Sequence, residues 1–155
     1  MIKVEKFEPV LMVWDYYDGP RTGLTLYRNK AHYFEFLWDH KLNNYSEYFT
    51  LTAINENLLK TANRQWAIYR EWEFKFHSGQ LPFDTHPGHG GIDKEYDKLN
   101  SIIETKLAKL DRSTGTYTSV FRPSSKQKDL PSGMMKELEA SWIETKKPHF
   151  VQFAT

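Results

Sequence analysis

Two apolar segments joined by a strong turn near the start of the chain constrain its fold more than any other feature. Residues 10–14 are apolar at every position, which is typical of a strand covered on both faces. Residues 18–20 read Asp-Gly-Pro and favour a tight turn, and residues 24–27 then alternate leucine with threonine or tyrosine. The segment therefore predicts an antiparallel β-hairpin.

Strands and helices follow this hairpin in separate runs. Strands are predicted at residues 32–38 and 48–54, joined by a polar loop at residues 40–47, before two helices. Two more strands are predicted at residues 116–122 and 138–142, after the helices. Such an order favours an α+β domain over a fold that alternates strands with helices. We therefore expect a single domain over residues 1–155, with an antiparallel sheet of about five or six strands packed with two amphipathic helices.

Both predicted helices begin at a capping residue and carry one apolar stripe. Asn55 and Asp93 are typical N-cap residues, and Gly79 is a typical stop for the first helix. At about 100° per residue, the apolar side chains of each segment fall on one face. The stripes are Leu58, Ala62, Trp66, Tyr69, Trp72 and Phe76 in the first helix, and Tyr96, Leu99, Ile103, Leu107 and Leu110 in the second. Each helix is expected to bury its stripe.

Large rings supply much of the apolar surface, and the charges balance. The chain has ten Phe, nine Tyr and five Trp, although hydrophobic residues make up only 39% of it. Each ring buries roughly 150–250 Å², so this content suffices for a core. Lys plus Arg number 21 against 20 Asp plus Glu, which argues against nucleic acid as the main partner. The absence of cysteine excludes disulfides and thiolate chemistry.

The sequence predicts a soluble, cytoplasmic protein with no membrane partner. Residues 1–6 contain no apolar stretch typical of a secretion signal. The longest apolar run, residues 10–14, is far shorter than the roughly 20 residues that span a bilayer. No phosphate-binding Gly-rich loop, nucleophile elbow, His-Glu-x-x-His or calcium loop occurs, so no cofactor is predicted.

The hairpin and the first helix together resemble a known group of sequences. Residues 14–23 read WDYYDGPRTG, and the helix carries Trp66 and Trp72. Over roughly residues 10 to 110, this pattern is similar to an uncharacterised family of small bacterial proteins. The resemblance implies a stand-alone bacterial protein, and it carries over no fold, activity or functional residue.

Four side chains are candidates for binding a partner. Asp15, Asp18 and Arg21 gather at the first predicted turn, where carboxylates beside a guanidinium could bind an anion or serve acid–base chemistry. The structural alternative is that Asp18 bonds turn amides and Arg21 forms a surface ion pair. Phe74 falls on the polar face of the first predicted helix, as a contact residue would, although single exposed apolar residues are common.

Two histidines in a loop rich in Pro and Gly are the candidate metal ligands. His86 and His89, with Asp84 and Asp93 nearby, supply the nitrogen and oxygen ligands that zinc or iron takes. Their spacing across a Pro-Gly pair matches no known metal motif. The structural alternative is therefore a turn-rich loop that sets the backbone before the second helix.

A carboxylate and an imidazole one helical turn apart are a further catalytic candidate. Glu73 could orient His77 as a general base. Alternatively, His77 lies in the last turn of the helix, where its charged form interacts favourably with the helix dipole. No nucleophile can be assigned beside this pair, which favours the structural interpretation.

Three functions are compatible with these patterns. The leading prediction is a non-catalytic protein-binding or accessory factor, whose partner is another protein or a second copy joined through an unpaired strand edge. The alternative is a small metal-dependent hydrolase that uses His86 and His89. A third hypothesis, stacking of single-stranded nucleic acid on aromatic rings, is weakened because the tryptophans of the helix and first strands fall on faces predicted to be internal.

Overall fold

The chain divides into a strand-rich unit and a helix-rich unit. The structure, a computed structural model, describes residues 6–127, 129–146 and 151–153, the last three by their backbone alone. The strand-rich unit, called the barrel unit because its strands close into a barrel, lies within residues 1–54, 111–125 and 137–155. The helix-rich unit, called the helical unit, lies within residues 55–110 and 126–136. The single domain expected from the sequence stays a prediction.

Six antiparallel strands close the barrel unit into a barrel. They are β1 (Glu8–Tyr16), β2 (Pro20–Tyr27), β3 (Lys30–Asp39), β4 (Asn44–Ala53), β5 (Thr116–Pro123) and β6 (Leu138–Thr145). Each strand pairs with the next in chain order, and β6 pairs back to β1, where Ala140 lies opposite Glu8. A short β7 (Val151–Phe153) pairs with the end of β3. The α+β class and the antiparallel sheet are confirmed, whereas closure was not predicted.

Closure changes the expectation for self-association. An open sheet has edge strands ready to pair with another copy of the chain. In the barrel unit each of the six strands β1 to β6 has a neighbour on both sides. The free sheet edge expected from the sequence is therefore absent from these six described strands. Association with a second copy of the chain stays a prediction, but a free edge of these six strands does not support it.

Two bulges interrupt β1, and the strand between them is covered on both faces. Leu11 and Trp14 are extra residues in the pairing of β1 with β2. Met12 and Val13 lie between the bulges, in regular register with Leu24 and Gly23, so their side chains point to opposite faces, and both are buried. The prediction for residues 10–14 is thus confirmed at its centre.

Aromatic rings pack inside the barrel. Phe34 is fully buried, and its ring centroid lies 5.5 to 6.1 Å from the centroids of Phe49, Phe121 and Trp142. The indole Nε1 of Trp142 donates a hydrogen bond of 3.1 Å to Thr25 Oγ1, which satisfies its polar group inside the core. These contacts make the interior a packed core in which the rings replace a larger number of aliphatic side chains.

Glycine at position 23 makes room for that packing. A Cβ added there would collide with the carbonyl oxygen of Met12 and would lie 2.9 Å from two ring carbons of Phe34. The backbone of β2 can therefore approach β1 and the Phe34 ring only because Gly23 has no side chain.

The turn between β3 and β4 is shorter than the sequence predicted. Polar residues 40–47 favoured a loop, yet β3 ends at Asp39 and β4 begins at Asn44. The Asp39 Oδ1 accepts hydrogen bonds of 3.0 and 3.1 Å from two amides of the turn, and Asn43 adopts a φ of 51°. Because these local bonds close a tight turn, residues 44–47 lie in the strand despite their polarity.

Two helices form the helical unit, α1 (Glu56–His77) and α2 (Lys94–Ala108). The side chains of Asn55 and Asp93 each accept a hydrogen bond of 2.9 Å from the backbone N–H three residues further on, so both predicted N-caps are confirmed. Gly79, with a φ of 77°, follows the end of α1 as predicted. Neither described helix has the length and apolarity needed to cross a membrane.

Candidate functional site

Six ring side chains come together in the helical unit beside α1. Three project from the apolar stripe of the helix, and three come from two short 3-10 turns, Phe83–Thr85 and Pro87–His89, and the single residue between them. The aromatic–histidine cluster is Tyr69, Trp72, Phe76, Phe83, His86 and His89. The Trp72 ring is central, because its centroid lies 4.9 Å from that of Phe76 and 4.4 Å from that of His86.

The imidazole of His86 is fixed by the backbone and by neighbouring rings. Its Nδ1 accepts a hydrogen bond of 2.9 Å from the N–H of Gly88, where a Cβ would lie 2.8 Å from the ring. It stacks on His89, with centroids 4.8 Å apart and planes inclined by 16°. Burial, and then the nearby His89, lower the pKa of His86 below its ordinary value of 6.5. The fold therefore favours a neutral His86 that carries its proton on Nε2.

The candidate metal ligands His86 and His89 contact each other, but among the described residues they form no metal-binding group with the nearby acidic side chains. Nitrogen lone pairs lie in the ring plane, so the stacked rings of His86 and His89 direct them side by side rather than toward a shared point. In the described part of the chain, no group of three or more His, Asp and Glu side chains is arranged to hold a metal ion. The hydrolase alternative stays a prediction, and these two residues by themselves supply fewer ligands than a zinc site takes.

Glu73 is buried and bound by a partner other than the one the sequence suggested. Its Oε1 accepts a hydrogen bond of 2.6 Å from Arg70, and its Oε2 accepts one of 3.2 Å from the N–H of Met135. The two charged side chains are only 13% and 6% exposed. Because the carboxylate is engaged in this way, it is a structural link rather than the orienting group of His77.

An open cleft of about 260 Å³ lies next to the cluster. Successive turns of α1 form one side of it, and the segment between the two helices forms the other. The lining comprises Ile68, Glu71, Trp72, Lys75, Leu81, Thr85, Pro87, Ile92 and Asp93. The lining thus combines five apolar side chains with three charged side chains and one hydroxyl.

The predicted carboxylate–guanidinium group at the first turn is only partly assembled. Arg21 donates a hydrogen bond of 2.7 Å to the carbonyl oxygen of Tyr17 and bonds of 3.4 Å to those of Asp18 and Ser46. Its guanidinium carbon lies 4.7 Å from the centroid of the Tyr45 ring. Among the described residues, Arg21 therefore binds carbonyl oxygens and joins the β1–β2 turn to the start of β4, and it does not form the expected ion pair.

Asp15 belongs to a separate polar network. Its Oδ2 accepts a hydrogen bond of 2.7 Å from the hydroxyl of Thr22, which lies opposite Glu35 in the sheet. Glu35 accepts bonds from the Tyr33 hydroxyl at 3.2 Å and from Arg112 at 3.1 Å. Burial, and then the charge of Glu35, raise the pKa of Tyr33 well above its ordinary value. Asp15 thus bonds to Thr22 and does not form a carboxylate pair with Asp18.

Several exposed apolar residues were not singled out from the sequence. Phe83 is 59% exposed, Ile92 is 49% exposed and Tyr17 is 64% exposed. A signal for the first two exists, because they are apolar residues in a polar, turn-rich segment without helical or strand periodicity. Phe74 is 43% exposed, as its helical angle predicted, and its role in binding stays a prediction.

Comparison with known proteins returns no match for this chain. No protein-family model, no curated protein and no solved structure matches it. A function therefore has to be argued from the geometry and chemistry of the sites themselves, since a fold class by itself hosts many activities.

Proposed function

We propose that the protein is a non-catalytic binding domain, an accessory factor whose partner is another protein. The observation that carries this proposal is the cleft beside Trp72, which is accompanied by the exposed apolar side chains of Phe83 and Ile92. Apolar residues exposed around a concave site are typical of contact surfaces, whereas a monomer without a partner gains nothing from exposing them.

The size of the cleft limits what it can accept. Its volume of about 260 Å³ is smaller than the roughly 300–1,000 Å³ of sites that enclose a small-molecule ligand. A single large side chain fits better, and such anchors carry most of the energy of protein interfaces. The partner is therefore expected to insert one apolar or aromatic side chain, while Phe83 and Ile92 contact the surface around it.

The walls of the cleft are held in place before any partner binds. The Trp72 Nε1 donates a hydrogen bond of 2.8 Å to the Thr85 hydroxyl, which in turn donates one of 2.7 Å to the carbonyl oxygen of Pro82. On the rim, Lys75 and Glu71 form an exposed ion pair at 3.1 Å. A preformed wall that combines apolar and polar side chains loses little entropy on association, and protein interfaces likewise contain both kinds of group.

Site-specific crosslinking tests the proposal. A photoreactive phenylalanine analogue at Phe83 is expected to capture one protein in the cells that make this chain, and the same analogue at Val120, an exposed position in β5, is expected to capture none. With the purified partner, Ile92→Ala should weaken binding about tenfold, while the matched truncation Val120→Ala should not. Equal loss in both variants would contradict the proposed site.

A variant of Phe74 distinguishes binding at the cleft from binding at the helix surface that the sequence suggested. If the partner contacts α1 through Phe74 instead, Phe74→Ala weakens binding and Ile92→Ala does not. Arg21 is unsuitable for this comparison, because its three hydrogen bonds to carbonyl oxygens make it part of the fold of the barrel unit.

A further inference from the structure

A second aromatic surface lies at one end of the barrel unit. The Tyr45 ring centroid lies 5.2 Å from that of Tyr17, 4.8 Å from that of Phe36 and 5.4 Å from that of Trp38. The aromatic shelf is Tyr17, Phe36, Trp38 and Tyr45. Tyr17 is the most exposed of the four, and the other three are half-buried. Unlike the rings inside the barrel, these rings keep part of their surface free for contact.

Arg21 holds the aromatic shelf in one arrangement. Its guanidinium packs against Tyr45 and donates to carbonyl oxygens of the β1–β2 turn and to that of Ser46 in β4. Its N–H donors are therefore bound within the protein, although neutral carbonyl oxygens do not cancel its positive charge. Rings that are fixed in this way offer contact area at a low cost in conformational entropy.

The charges next to the exposed end of the shelf are acidic. Asp18 follows Tyr17 directly, and Glu47 follows Ser46, whose carbonyl oxygen binds Arg21. Both acidic residues are exposed, and within the described residues neither carboxylate has an ion-pair partner. The β3–β4 turn at the other end carries Lys41 instead. The shelf is thus complementary to a ligand whose basic side chain lies beside Tyr17.

We infer that the aromatic shelf binds a proline-rich segment of a partner protein, with a lysine or arginine next to its Tyr17 end. Such a segment adopts the polyproline II conformation, which is preformed and repeats every three residues, about 9.3 Å. Its proline rings can pack on the successive rings of Tyr17, Tyr45 and Trp38, whose neighbouring centroids lie 5.2 and 5.4 Å apart. Aromatic-lined surfaces are the common receptors for such segments.

The acidic residues at the Tyr17 end also favour a basic peptide over other ligands that stack on aromatic rings. Single-stranded nucleic acid needs a positively charged groove along its backbone. Asp18 and Glu47 would repel phosphates, and Arg21 is already bound to carbonyl oxygens. A basic, proline-rich segment satisfies both the rings and the charges.

Titration of the full chain with two synthetic peptides tests the inference. One peptide contains Pro-x-x-Pro flanked by arginine, and the other carries glutamate in place of arginine. The first should give saturable changes in tryptophan fluorescence, with an affinity about tenfold lower in Tyr17→Ala and severalfold lower in Asp18→Asn. Asn tolerates the φ of 55° found at Asp18, so this variant keeps the turn. Phe83→Ala should leave the affinity unchanged, which separates this surface from the cleft.

Three results would overturn the inference. The first is the absence of saturable binding of the arginine-flanked peptide to the unaltered chain. The second is equal affinity for the glutamate-flanked peptide. The third is binding of a single-stranded oligonucleotide or an oligosaccharide, but no proline-rich peptide, that is lost in Tyr17→Ala. Tyr17→Phe, which keeps the ring, should retain most of the affinity, and a loss as large as that of Tyr17→Ala would contradict ring packing.

Discussion

The interior of the barrel unit and the aromatic–histidine cluster of the helical unit use the same kind of side chain with different results. Inside the barrel, Trp142 meets Phe49 and Phe121 at interplanar angles of 87°, and such edge-to-face contacts enclose each ring. In the cluster, Trp72 and Phe76 are stacked at 8°. Trp72 is as buried as Trp142, but Phe83 in the same cluster stays 59% exposed. Contact between rings therefore does not by itself make a core.

Truncation of one ring in each region tests whether the two regions differ in their contribution to stability. Phe34→Ala removes a fully buried ring and should cost about 3–5 kcal/mol of unfolding free energy. Phe83→Ala removes a ring that is mostly exposed and should cost about 1 kcal/mol or less. Urea unfolding of the two variants measures the difference. Similar losses would show that the cluster is a second core rather than a contact surface.

Two carboxylates on α1 extend the comparison to charge. Glu73 is buried with Arg70 and also binds the N–H of Met135, so Glu73→Gln should cost about 1.5–3 kcal/mol. Glu71 pairs with Lys75 at the surface, so Glu71→Gln should cost about 0.3–0.5 kcal/mol. Unfolding measured at low and high salt checks both values. Only the Glu71 effect should fade with salt, and fading of both would contradict the burial of Glu73.

Two glycines of the barrel unit sharpen the account of its packing. Gly23→Ala forces β2 away from Met12 and Phe34 and should cost about 1–3 kcal/mol. Gly115→Ala adds a methyl group whose nearest neighbours lie at 3.4 Å, and its effect should stay within about 0.5 kcal/mol. Thermal unfolding of the two variants under one buffer condition provides the test. A tolerated Gly23→Ala would mean that β1 and β2 pack less closely than described.

The smallest expected effect concerns His86. Its pKa is lowered by burial and by His89, so the unfolded chain binds a proton more readily than the folded one. The contribution of His86 to the free energy of unfolding should therefore be fully present above pH 6.5 and be lost as the pH falls below that value. NMR titration should place the His86 pKa below 6.5, and His89→Gln should raise it in part, because burial remains. A pKa above 6.5 would contradict the stacked arrangement.

Local signals in the sequence predicted what depends on neighbouring residues. The caps at Asn55 and Asp93 and the stop at Gly79 follow from hydrogen bonds that span a few residues, and all three are confirmed. The exposure of Phe74 followed from its angle on the helix. The residues 44–47 were placed wrongly in a loop, because the Asp39 turn that admits them to β4 was not recognised.

The candidate sites depended on contacts between distant residues, and sequence reasoning recovered them only in part. His86 and His89 were selected for their chemistry, but their stacking on each other and the contact of His86 with Trp72 of α1 were not predicted. Arg21 was selected as a charged group, but one of its partners is the carbonyl oxygen of Ser46, in another strand. No spacing within the hairpin indicates that contact.

By itself, the sequence determined the α+β class, the antiparallel strands and the two capped helices. The tertiary structure decided the closure of the barrel, the cleft and the roles of individual candidate side chains. The physical reason is the range of the interactions involved. Periodicity, caps and turns act between near neighbours, whereas closure brings Glu8 opposite Ala140. A bulge of one residue, as at Leu11, then changes which face the following side chains take.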